Sequence, residues 1–536
     1  MRLGGVAGNP FTLWSHLGCF YRPRGGADDG LSMAIPDARA LVAFNRFGLG
    51  PRPGDLAKMD DPREAILAEL SAPRVAAIDD PALLRTPVAL QAVYEDQDRK
   101  KQERERLGQE KLAQLGMPAP NVAASIGTPP AAPLPPALAM APSPSPPPMM
   151  AAQTMAAPSM APQPPPEQQI FRSEAAARLA QACAAPVGFA ERLVAFWSNH
   201  FCISVAKSNI GRACAGAFER EAIRPYVTGR FADMLRAVEQ HPGMLNFLDN
   251  AQSIGPDSKA GQNRNRGLNE NLAREILELH TLGVDGGYRQ TDVTSFAEII
   301  TGWSIGGGKG RLAGGEPGRF YFRDNLHQPG AKTFLGKRYA QEGLPQGEAV
   351  LADLARHPNT ARFIATKLAR HFIADDPPAE AVERLTHAYL KSGGDLPQVY
   401  AALIESPQAW EPQPRKFKTP EDFVFSSLRA LNLVPQKPEE VIHTFDLLGQ
   451  RQYTPGSPAG WPDTAKSWDG SDALMHRVLW ASRVAGRSDA GVDPLEVAAS
   501  SLGASVRPET LAALRRATSG SQALALLLMS PEFQRR

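Results

Sequence analysis

From residue 171 onward, apolar positions recur at helical spacing along almost the whole chain. The spans 177–201, 217–240, 269–282, 292–302, 360–373, 379–391, 396–404, 420–431, 438–448, 472–485 and 508–528 each predict an amphipathic helix. Residues 34–85 read the same way, interrupted by a turn-rich stretch from Asn45 to Gly54. Some starts are marked. Thr419-Pro420-Glu421-Asp422 supplies an N-cap, a proline for the first turn and acids for the positive end of the helix dipole. The segments 238–245, 402–410 and 526–533 end helices on His-Pro or Ser-Pro steps, at no fixed period, so they are shared stop chemistry and not a solenoid repeat. Two-residue alternation is confined to 319–323 and 332–335, which predict one hairpin around 324–330. The expected fold is mainly α, a large multi-helix domain with at most one small β-hairpin.

Two stretches depart from this pattern. Residues 95–116 are dense in Lys, Arg, Glu and Gln and suit a solvated helix. Between 118 and 166 about one residue in three is proline, and most others are Ala, Met, Ser or Gln. Such a composition lacks backbone donors and enough apolar surface to offset the entropy of ordering, so a disordered insertion is expected. The chain then divides into an N-terminal extension (1–33), an N-terminal helical part (34–116), the Pro/Ala/Met-rich insertion (117–168) and the main helical domain (169–536).

Composition narrows the function classes. A net charge of +2 over 536 residues, without a basic run interleaved with aromatics, argues against nucleic-acid binding. The hydrophobic fraction of 43% is ample for a core, yet no stretch reaches the roughly 18 to 20 apolar residues that cross a bilayer. Gly and Pro break up the first 33 residues too much for an apolar signal core, which favours a cytoplasmic location, with export to the periplasm as the alternative. The four cysteines, Cys19, Cys183, Cys202 and Cys214, have neither disulfide-scaffold density nor Cys-x-x-Cys spacing.

Candidate chemistry concentrates in residues 267–303. At 100° per residue Leu268, Leu272, Ile276, Leu279 and Leu282 share one helical stripe, and Glu275 projects into it. A carboxylate there needs an ion-pair partner, a hydrogen bond or a ligand. Asn271, Glu275 and Glu278 run along one edge at i, i+4, i+7; the two carboxylates can share a cation or split into protonated and ionised partners. The competing reading is a buried ion pair between Glu275 and Arg192 or Arg370. His280, five residues on, lies about 140° away on an α-helix and suits the helix end, where an imidazolium complements the dipole. His200 sits on the apolar face of its helix beside Phe196 and Trp197, either as a hydrogen-bonded core residue or, with Asn199, as part of a pocket wall. Trp461, with Trp468, either offers a stacking face to a sugar or plugs its loop onto the core. No nucleophile elbow, phosphate loop, dinucleotide fingerprint or His-Glu-x-x-His is present.

The 267–303 block resembles the signature of a large bacterial family, domain of unknown function 1800. The likeness extends in order through residues 41–54, Phe196-Trp197-Ser198-Asn199-His200-Phe201, 248–253, Lys418-Thr419-Pro420, Gly460-Trp461-Pro462 with Trp468, and Ser530-Pro531-Glu532-Phe533. The resemblance implies a helical fold but no activity. It also implies a possible partner, since members are often encoded beside an exported family similar to sulfatases and alkaline phosphatases. The family commonly shows His-Asp where this chain has His327-Gln328, so a metal site there would lack one carboxylate unless Asp324 replaced it; otherwise His327 is a solvent-exposed loop residue.

Two function classes follow. One is an enzyme, hydrolase-like or metal-assisted, with Glu275, His200 and Glu278 as catalytic groups and Asn271, Asn199, His280, His327 and Trp461 in contact with ligand. The other is a non-catalytic binding or assembly protein for the phosphatase-like partner. Neither reading names a cofactor. Convergence of His200 and Glu275 on one cavity is expected if the first is right.

Overall fold

A computed structural model describes residues 38–114, 163–263, 267–307, 314–435, 437–488 and 491–536. The expected extension 1–33 and nearly all of the expected insertion 117–168 lie outside the described residues. Contacts divide the chain into two units: one comprises the residues up to Val93 with Pro166–Arg536, the other Tyr94–Pro165. The described part of the second unit carries most of the helix Thr86–Gln114, which accounts for the charged stretch. Its face is laced by pairs one turn apart, Lys100 with Asp96 at 2.6 Å and Arg106 with Glu110 at 3.6 Å. Asp96 is buried, whereas the Arg106–Glu110 pair is exposed and adds only tenths of a kcal/mol.

The first unit is mainly α, as the periodicity predicts. Several predicted helices are divided, each for a local reason. The span 177–201 becomes Pro166–Ala184 and Phe189–His200, because Pro186 donates no hydrogen bond and Gly188 takes φ +95°. The span 217–240 becomes Asn209–Phe218, a π turn at Glu219–Ile223, a break at Pro225 and Phe231–Glu239. The span 508–528 divides at Ser519, whose hydroxyl caps Gly520–Leu528 by accepting from Gln522 N–H at 3.1 Å. The N-cap read at Thr419 forms, and Asp422 completes it as a capping box. The helices Leu344–Arg356 and Pro494–Leu502 are additional to those expected.

Strand pairing differs from the expected hairpin. Phe320–Phe322 pairs antiparallel with Trp303–Ile305, and Lys332–Phe334 pairs antiparallel with Lys337–Tyr339. The two predicted strands both exist, yet each finds its partner outside the loop that separates them. Gly302, at φ +82°, turns the chain from the helix Gln290–Ile299 into the first strand.

Two large apolar clusters and a small one of Ala89, Val93, Ile170 and Ala213 form the interior among the described residues. The larger runs from Ala40 to Trp410 and is centred on Trp197, Phe201, Phe231, Ile276 and Phe372. The smaller gathers Phe423, Leu428, Trp480, Leu527 and Phe533 from the C-terminal helices with Leu49 and Leu179.

Candidate functional site

The helix Asn271–Glu275 continues as a π turn over Ile276–His280. A π turn closes i→i+5 bonds and is a rare element, often found at functional sites. Glu275 ends the α segment and His280 ends the π turn, so the regular 100° step behind the expected 140° separation does not run unbroken between them. The side chain of His280 enters the core, where Nδ1 meets Glu239 Oε1 at 2.8 Å. Both residues are buried, at 1% and 0% exposure, so His280 is held by a core partner and not merely set at a helix end.

His200 also lies in the core. Its Nε2 faces the carbonyl oxygen of His280 at 3.1 Å and therefore carries the ring proton, which leaves Nδ1 to accept from Lys367 Nζ at 2.8 Å. Burial, reinforced by the charge of Lys367 and by His280, pushes the His200 pKa well below its ordinary value. Glu275, expected to converge with His200, is not the partner of its imidazole. A lysine and a backbone carbonyl occupy the two nitrogens, and the lysine lowers the pKa where a carboxylate would have raised it. Lys367 itself is only partly buried, and desolvation brings it down to about 8.

Glu275 is half-buried and forms neither a hydrogen bond nor an ion pair with any described residue. Burial raises its carboxyl pKa; His280 and Arg274 oppose that shift while Glu278 adds to it. The arginines expected as its partners are engaged elsewhere, Arg192 with Asp422 at 2.7 Å and Arg370 with the carbonyl of Asp375 at 3.0 Å. Glu278 lies 3.7 Å from Arg274, which also bonds Glu270 at 3.0 Å. Asn271 is exposed at the first turn. His327 is buried, not a solvent-exposed loop residue: its Nδ1 meets the carbonyl of Thr301 at 3.0 Å. Asp324 points instead to Lys259, at 3.2 Å. Among the described residues no group of three His, Cys, Asp or Glu side chains is placed to hold a metal ion.

Asn199 and Trp461 do meet. Asn199 Oδ1 accepts from the Trp461 backbone N–H at 2.7 Å, and its Nδ2 donates to the Trp461 carbonyl at 2.9 Å. Gly460 permits this approach: it sits at φ +82°, and a Cβ there would fall 2.4 Å from the Asn199 carbonyl oxygen. Trp468 is buried, donating to the Pro462 carbonyl at 2.8 Å, while Trp461 stays partly exposed. Of the two tryptophans, Trp468 does the plugging.

Asn199 and Trp461 border a cavity of about 60 Å³, together with Ser198, Cys202, Glu219, Gln450, Gln452 and Tyr453. A second π turn, Glu219–Ile223, carries the central carboxylate. Glu219 accepts from Arg224 at 2.9 Å, Ser198 at 3.1 Å and Tyr453 at 3.2 Å, and pairs with Arg178 at 2.9 Å. Burial raises its pKa, but Arg178 and Arg224 outweigh that and hold it below its ordinary value. Tyr453 adopts φ +49°, uncommon for a bulky residue. The preceding Gln452 is buried, and both polar atoms of its amide lack a partner among the described residues. Cys202, in the same wall, has its thiol on the carbonyls of Ser457 and Pro458 at 3.6 and 3.3 Å, and burial pushes its pKa up to about 12. Glu219, Lys367 and Gln452 were not picked out from the sequence. They belong to no motif, and only tertiary contacts reveal their surroundings.

A family model described as "Protein of unknown function (DUF1800)" matches residues 42–535. The chain belongs to this family. Membership in DUF1800 agrees with the motif order read from the sequence and attaches no activity to any residue. No curated protein and no solved structure matches the chain.

Proposed function

We propose that this DUF1800 protein is a binding protein, whose ligand enters the polar cavity between the helix Phe189–His200 and the loop that carries Gln452 and Trp461. The observation that supports binding over acid–base catalysis is the state of His200. The imidazole that would serve as general base is buried, neutral and committed at both ring nitrogens. Hydrogen-bonding capacity remains at Gln452 and at Glu275, groups suited to contacting a ligand. Assembly with the exported sulfatase- or phosphatase-like protein that the family resemblance implies fits a binding role. No described helix is long and apolar enough to cross a membrane.

The test is an assay of the purified full chain against chromogenic phosphate, sulfate, carboxyl-ester and glycoside substrates, with size-exclusion chromatography of the chain mixed with that partner. Co-elution without turnover is expected. Turnover that disappears in Glu275→Gln would overturn the proposal in favour of a hydrolase.

A further inference from the structure

The charges around the Gln452 cavity are paired, the exposed Arg451 at its rim with Asp446 at 3.5 Å. Arg178 is paired with both Glu219 and Glu421, and Arg224 takes the other oxygen of Glu219. An anionic or cationic ligand would find no uncompensated partner in these walls and would lose its hydration on entering. What remains open is uncharged. Gln452 is 7% exposed, and neither its amide NH2 nor its carbonyl oxygen has a partner among the described residues. Gln450 accepts from the Glu421 backbone N–H at 2.9 Å through its side-chain oxygen, leaving its NH2 group without a partner among the described residues. Trp461 adds a partly exposed indole to the same wall.

A carboxamide holds a donor and an acceptor side by side in one plane. That spacing suits two adjacent hydroxyl groups, each of which both donates and accepts. An aromatic face beside it suits the C–H face of a sugar ring, which is apolar. An apolar ligand would leave the Gln452 amide buried with its hydrogen bonds unmade, at a cost of about 1 to 3 kcal/mol. At about 60 Å³ the cavity has room for a handful of water-sized groups, so it takes the edge of one ring and leaves the rest of a longer chain outside.

We propose that this cavity binds a neutral carbohydrate, with Gln452 and Gln450 hydrogen-bonding neighbouring hydroxyls of one ring and Trp461 packing against its C–H face. The inference rests on the binding reading above and adds the ligand class.

Gln452→Leu is the informative variant, because the amide it removes bonds to no described residue. Stability should match the wild type or exceed it. The full chain is applied to an array of neutral and acidic oligosaccharides and titrated calorimetrically with neutral monosaccharides at millimolar concentration. Binding to neutral sugars is expected, weakened about tenfold or more in Gln452→Leu, consistent with the loss of at least one hydrogen bond, and weakened likewise in Trp461→Ala. Binding confined to acidic glycans, equal binding by Gln452→Leu, or no binding to any sugar overturns the inference. So does a Gln452→Leu chain that melts well below the wild type, since the amide would then be satisfied by the fold. A negative array leaves the choice between binding and catalysis to the turnover assay, so the two failures are distinguishable.

Discussion

His200 shows how one contact sets both the chemistry and the pH response of a residue. Its folded pKa is depressed first by burial and then by Lys367 and His280, whereas an unfolded histidine titrates near 6.5. Below about pH 6.5 the unfolded chain therefore gains a proton that the folded chain refuses, and stability falls as pH falls. The slope approaches about 1.4 kcal/mol per pH unit for each such group until its folded pKa is reached. His371 is partly buried and has a lowered pKa as well, for the same leading reason, and adds in the same direction. Urea unfolding of the wild type at pH 7.5 and 5.5 should show a drop that His200→Gln reduces, because glutamine can still donate to the His280 carbonyl and accept from Lys367 without titrating. Equal drops in the two proteins would show that His200 is already protonated in the folded state.

Elements, more than residues, decide what the sequence could reveal. The loop that ends in Gly460-Trp461 is held against Asn199 at a distance no side chain tolerates. Gly460→Ala should cost more than about 1 kcal/mol, from the φ of +82° and the 2.4 Å approach together. Thermal denaturation measures the loss, and an unchanged melting temperature would mean that the loop does not sit on Asn199 in solution. The helices, the N-cap at Thr419 and the sites of both predicted strands were legible because apolar period and cap chemistry are local. Strand partners were not legible, since both predicted strands pair with segments whose alternation is too short to stand out. The π turns at Glu219 and His280 were hidden for another reason. Their apolar spacing resembles an α-helix, and only packing selects the wider winding. His280 was read as a helix-end residue, and its buried partner Glu239 was not foreseen. Asn199 and Trp461 were legible as pocket residues because an amide beside an aromatic wall is unusual on a core-facing helix. Gln452 was not, since a glutamine in a loop is ordinary until its burial is known.

At the scale of the whole molecule, buried arginines join the two apolar clusters. Arg429 lies on a helix of the smaller cluster and is fully buried, and its guanidinium donates along the segment that leads from that cluster, at Ala182 and Cys183, to Val187 of the larger one: Ala182 at 3.3 Å, Cys183 at 3.2 Å, Ala185 at 2.6 Å and Pro186 at 2.8 Å, with Gly50 at 2.6 Å. Nearby, Asp422 on the helix Pro420–Ala430 of the smaller cluster is clamped between Arg192, on the helix Phe189–His200 of the larger one, at 2.7 Å and the terminal Arg536 at 2.8 Å. These carbonyls surround the Pro186–Gly188 break, where no helix ladder can serve them, and the planar fork of one guanidinium satisfies them together. Lysine carries the same charge but offers three donors from a single point and cannot span the set. Arg429→Lys should therefore cost about 2 to 5 kcal/mol, the range for unmaking several buried bonds while retaining the charge. It should also loosen the coupling between clusters, so that tryptophan fluorescence, which samples Trp480 in the smaller cluster and Trp197 in the larger, no longer follows the same urea curve as far-ultraviolet circular dichroism. Coincident curves with an unchanged midpoint would show that apolar contact alone joins the two clusters and that the arginine fork is incidental to their union.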